Sequence, residues 1–188
     1  MRSSILALAL TLLSASLSAQ GVFSNKTQVI LEKVIQDYPN HFTNIRAELI
    51  SQAVQTVSYK STLQLPGSRS STITLGTAGG NEESDWTCTV LTTPHFEEAK
   101  TRYSEIYSQL SNSIISTVDR KTFIITGQYE APSEEKKYTQ VLFSLLPGVG
   151  IMKRLRVELV LHQQDLNWVV TITVSDRDRE MVADASGK

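Results

Sequence analysis

Apolar residues recur at three- and four-residue steps through Phe96, Ala99, Tyr103, Ile106, Tyr107, Leu110 and Ile114. That spacing keeps one side of a helix apolar. Glu97, Glu98, Lys100, Arg102, Glu105 and Gln109 fill the other side, and the two leading glutamates suit the positive end of the helix dipole. The pattern predicts a helix that starts at Thr93 or Pro94 and leaves through residues 118–121. An earlier helix is predicted from Val29, Ile30, Val34, Ile35 and Tyr38, with Asn25 as N-cap and Gln28 as its capping-box partner. Pro39 stops it.

Elsewhere the period shortens to two, the period of a strand. Val57, Tyr59, Ser61, Leu63 and Leu65 alternate with Ser58, Lys60, Thr62 and Gln64 before a Pro66-Gly67 turn. Further strands are expected at 71–75, 122–129, 138–146, 154–162 and 168–174, and around Trp86, Cys88 and Val90, with a weaker one at 42–49. Residues 77–84 are rich in glycine and acid and read as a loop. The connections are short, so neighbouring strands should be antiparallel hairpins.

Leu65-Pro66-Gly67 returns as Leu146-Pro147-Gly148. The same interval separates Phe42 from Phe123, and an interval one residue longer separates Trp86 from Trp168. The expected organisation is therefore a single α+β domain over residues 20–175. Two pseudo-repeats, 24–92 and 93–175, would each contribute a helix and four strands to one antiparallel sheet, with both helices on one face. The layout resembles the tandem helix-plus-four-strand arrangement of the secreted beta-lactamase inhibitor proteins. The resemblance is architectural only. The paired disulfides of that family are absent here, because Cys88 is the sole cysteine, and no function carries over.

Before the first helix, Met1-Arg2 precedes an apolar run over residues 5–13, broken only by Thr11, and small residues up to Ala19. This is the layout of a secretory signal peptide, with cleavage expected after Ala19. The run is too short to span a bilayer, which takes about 20 residues. The expectation is an exported protein, periplasmic or extracellular, without stable membrane insertion. Residues 176–188 are charged and then aperiodic, and read as a flexible tail. With 18 basic and 19 acidic groups the charge is nearly balanced, and no basic block suggests a nucleic-acid surface.

Candidate chemistry is sparse. His41, His95 and His162 share no metal spacing, and no calcium loop, phosphate loop, dinucleotide loop or nucleophile elbow is present. Cys88 shares parity with Trp86 and Val90 and reads as a core residue. Trp86 and Trp168 read as core anchors by the same parity argument. No catalytic, cofactor-binding or metal-binding residue is assigned. Ser58, Lys60, Thr62, Gln64, Thr72, Thr74, Thr87, Thr89, Thr171 and Thr173 should line a solvated sheet face. The function this suggests is an exported, non-enzymatic binding or accessory protein whose partner, a protein or a small molecule, docks on that face. The alternatives are a hydrolase with a site assembled from separate strands, marked by a histidine and carboxylate beside Ser or Cys, and a carrier with an internal apolar cavity.

Overall fold

The structure is a computed structural model and describes residues 25–78 and 81–176. The expected leader, and the tail beyond residue 176, lie outside the described residues. Helices α1 (Lys26–Asp37) and α2 (Phe96–Leu110) pack against one sheet. Its strands are β1 (Arg46–Gln52), β2 (Thr56–Ser61), β3 (Ser70–Ala78), β4 (Asn81–Thr93), β5 (Ile114–Ser116), β6 (Thr122–Gly127), β7 (Tyr138–Leu146), β8 (Leu155–Gln164) and β9 (Asn167–Asp176). Every neighbouring pair is antiparallel, in the order β1-β2-β3-β4-β9-β8-β7-β6-β5. The chain is thus a mixed α+β protein, with two helices against a nine-stranded antiparallel sheet.

The pairing of β4 with β9 joins the first group of strands to the second. Trp86 and Trp168 both lie on this central pair and are buried. The indole of Trp86 donates to the Ser61 hydroxyl at 3.0 Å, which satisfies its one polar atom in the core. Trp168 packs its ring on Phe96, with centroids 4.8 Å apart. Phe42 and Phe123 are also both buried, although Phe42 precedes a 3-10 turn and Phe123 sits in β6. The two Leu-Pro-Gly strings part company: Leu65 is 2% exposed and Leu146 51%.

On α2, Ala99, Tyr103, Ile106 and Leu110 of the expected apolar stripe are buried, and Phe96 and Tyr107 pack against the core half-buried. The helix stops earlier than its pattern. Asn112 takes a left-handed φ of 61°, and Ile114 opens β5, half-exposed, instead of extending the stripe. This gives the second group one strand beyond the expected four. On α1 the buried face is Leu31, Val34 and Ile35, while Val29 is exposed. Asn25 caps the helix as expected, accepting from the Gln28 backbone N–H at 3.2 Å. The Gln28 side chain does not close a capping box. Its Nε2 donates to the Ile114 carbonyl at 2.7 Å.

The expected loop over residues 77–84 is mostly ladder. Thr77 pairs with Glu82 and Ala78 with Asn81, so β3 and β4 form one long hairpin. Glycine and acidic side chains suggested a loop, but ladder hydrogen bonds come from the backbone and do not require apolar side chains. β2 ends at Ser61, sooner than its alternation, and β9 runs to Asp176. Asp176 accepts from the Tyr38 hydroxyl at 3.0 Å and from Arg154 Nε at 3.0 Å, which ties the strand end to both α1's exit and β8's start.

Candidate functional site

Both helices lie on the core face, α2 over β4, β8 and β9 and α1 beside β5. No described element covers the opposite face. Strand register arranges that face in rows. One row runs Lys60, Thr72, Thr87, Thr173, Glu158, Leu142, and the next runs Ser70, Thr89, Thr171, Val160, Gln140. Thr87 and Thr173 hydroxyls lie 3.2 Å apart, and those of Ser58 and Thr74 3.4 Å apart. Thr62 and Gln64 drop out of the expected face because the strand has ended. Their side chains donate to the carbonyls of Ile45 and Ser68.

Across β7 and β8 the same face changes character. The Tyr138 hydroxyl donates to Gln140 Oε1 at 2.8 Å, and Gln140 Nε2 in turn donates to Glu158. Burial pushes the Tyr138 phenol pKa up, with the Glu158 charge adding to the shift. Tyr138 still exposes half its surface, and Leu142, beyond Gln140 on the same face of β7 and opposite Glu158, is exposed as well. His162 stands opposite Tyr138 on one side and Val169 on the other. At the margin, Ile114, Ile124 and Leu146 form a row of half-exposed apolar side chains. Tyr138, Gln140, Leu142, Glu158 and His162 were not singled out from the sequence as face residues. The signal was present: alternate residues of 138–146 and 154–162 point away from Val141, Phe143, Val157 and Leu159, which are buried.

The three histidines are not brought together. His41 contacts Ser84, Nδ1 to Oγ at 3.3 Å. His95 is the N-cap residue of α2 but makes no side-chain capping bond; the Thr93 hydroxyl accepts from the His95 backbone N–H at 3.2 Å and donates to Glu98 at 2.5 Å. Among the described residues, no group of three or more His, Cys, Asp or Glu side chains could hold a metal ion. Cys88 is buried in the core.

The His41–Ser84 contact lies in a cleft on the helix side of the sheet. Its floor is the register row Val57, Leu75, Ser84. The loop through His41 and Thr43 forms one wall and the turn between β1 and β2 the other. A hydrolase would need an accessible Ser84 hydroxyl, a base beside it and a carboxylate behind the base. Ser84 is only 4% exposed and sits inside a paired strand. The acid nearest His41 in sequence, Asp37, is committed elsewhere: it accepts from Asn40 Nδ2 and from the backbone and side chain of Asn44. The interior between helices and sheet, where a carrier would keep its ligand, is filled by Trp86, Tyr103, Phe123 and Phe143 among others.

No family model matches this chain, nor does any curated protein or any solved structure.

Proposed function

We propose that the protein is an exported binding protein that holds a polypeptide partner against the uncovered face of its sheet, centred on β7 and β8. Export rests on the leader-like pattern of residues 1–19. The observation that carries the binding reading is the exposed pair Tyr138 and Leu142 beside the ordered Tyr138–Gln140–Glu158 chain. A tyrosine whose hydroxyl is already held offers a large contact area with little entropy left to lose on binding. The scale of the face favours a macromolecule, because small ligands are held in concavities that enclose most of their surface. The near balance of charge disfavours nucleic acid.

The test is recovery of a partner from the exported fraction of the source cells, using tagged wild type, Tyr138→Ala, Leu142→Glu and, as a helix-side control, Lys100→Ala. The expected result is one partner held by wild type and the control and lost from both face variants, whose urea midpoints stay near wild type. Equal recovery by all four proteins, or no partner for any of them, would overturn the reading.

A further inference from the structure

The cleft beside the β1–β2 turn has features its fold does not require. Its volume is 520 Å3, within the range of roughly 300–1,000 Å3 found for small-molecule sites. One wall is bent through two consecutive non-glycine residues in the left-handed region, His41 at φ 52° and Phe42 at φ 58°. Bulky residues rarely adopt that conformation, and it persists only where surrounding bonds enforce it. Here they do. The Phe42 N–H donates to the Asp37 carbonyl at 3.1 Å, the Asp37 carboxylate ties down Asn40 and Asn44, and Arg46 Nη2 donates to the His41 carbonyl at 2.6 Å.

Arg46 is the informative residue. Its guanidinium carbon lies 5.6 Å from the centroid of the Tyr59 ring, and the bond to His41 fixes its orientation. Its Nε is buried and has no hydrogen-bond partner among the described residues. That atom is out of reach from the cleft, but the guanidinium as a whole lines it, and hydrogen bonds to a charged group are stronger than those to a neutral one, which favours an anionic acceptor. Arg46, His41 and Ser84 line the same cleft, with Val57 and Leu75 on its floor. Glu83 lines it too, and its charge repels a doubly charged anion more than a singly charged one.

We propose that this cleft binds a small ligand that presents a carboxylate to Arg46 and an apolar group to Val57 and Leu75. The carboxylate pairs with the charge of the Arg46 guanidinium that lines the cleft, and planar carboxylates suit the guanidinium fork. When the Ser84 hydroxyl donates to Nδ1 of His41, the imidazole keeps its proton on Nε2 and can donate as well. This site is separate from the sheet face, and its test does not depend on that reading.

The experiment titrates the purified protein with sodium hexanoate, hexanamide and inorganic phosphate, following by nitrogen-15 NMR the Arg46 Nε–Hε resonance in wild type and the backbone amides of Val57 and Leu75 in wild type and every variant. Hexanoate is expected to move these resonances saturably, with hexanamide and phosphate weaker by about tenfold or more. Arg46→Gln should weaken hexanoate to a similar degree. Arg46→Lys, which keeps the charge but loses the fork, should also weaken it, and it serves if the glutamine variant does not fold. A capped tripeptide with a free or an amidated C-terminus separates the two sources of carboxylate: tighter binding of the free-ended peptide than of hexanoate identifies a chain end, and the reverse a free acid. The proposal is overturned if hexanoate gives no saturable shift, if hexanamide or phosphate binds equally well, or if both Arg46 variants keep wild-type affinity.

Discussion

Ile106 inside α2 and His95 at its entrance illustrate how differently single residues count. Ile106 is fully buried in the middle of the apolar stripe, whereas the His95 side chain makes no capping bond and Thr93 serves the helix entrance instead. Ile106→Ala should therefore lower stability by about 2–5 kcal/mol, while His95→Ala should change it by less than about 0.5 kcal/mol. Urea unfolding of both variants decides this, and equal losses would show that His95 belongs to a buried network. Asp119 offers a different check. The hydrogen bond from Lys121, then that from the Thr117 hydroxyl, holds its carboxyl pKa at about 2. Because the folded pKa is depressed, the turn gains from the ionised carboxylate above the ordinary aspartate value of about 4, and loses that gain as pH falls toward 2. Carbon-13 NMR titration should show Asp119 still charged at pH 3, and Lys121→Ala should move its midpoint upward. At this scale parity in the sequence was a good guide: Trp86, Cys88 and Trp168 are buried as expected. The Arg46–His41 contact was not legible, because it depends on a left-handed bend that no local pattern announces.

Among the elements, β5 best shows what a pattern misses. It is three residues long, and its first residue, Ile114, fits the helical spacing of α2 as well as it fits a strand. What holds it is α1 alongside. Gln28 Nε2 and Gln36 Nε2 donate to the carbonyls of Ile114 and Ser116, and the Glu32 carboxylate accepts from the Ser116 N–H at 2.8 Å. Side chains of a helix thus satisfy backbone groups that an edge strand would otherwise present to other chains. Glu32→Ala should speed hydrogen exchange at the Ser116 amide several-fold and leave buried amides of β8 unchanged. Unaltered exchange at Ser116 would show that the contact contributes nothing to the edge. The β3–β4 hairpin was misread for a different reason: its polar composition hid a ladder that only register reveals. The stripe of α2 from Ala99 to Leu110, by contrast, was legible, because burial and helical period coincide there, and only its last expected member, Ile114, belongs to another element.

For the molecule as a whole, the question is whether the two groups of strands stand or fall together. The sheet is continuous through β4 and β9, which pair from Trp86–Val174 to Thr93–Trp168, and α2 packs over β4, β8 and β9 together. α1 precedes β1 in the chain yet bonds to β5 at the far end of the sheet. Neither group could therefore unfold without exposing core residues of the other: losing β9 would uncover Trp86 and Cys88, and losing α1 would uncover the edge at β5. Burial shared in this way predicts a single cooperative transition. Single-tryptophan variants make the prediction sharp, since Trp168→Phe leaves Trp86 to report on β4, and Trp86→Phe leaves Trp168 to report on β9 and Phe96. In each variant the urea midpoint by tryptophan fluorescence should coincide with that by far-ultraviolet circular dichroism. Fluorescence and dichroism midpoints that separate within either variant would mean that the groups unfold independently and that the β4–β9 pairing joins two cores instead of running through one.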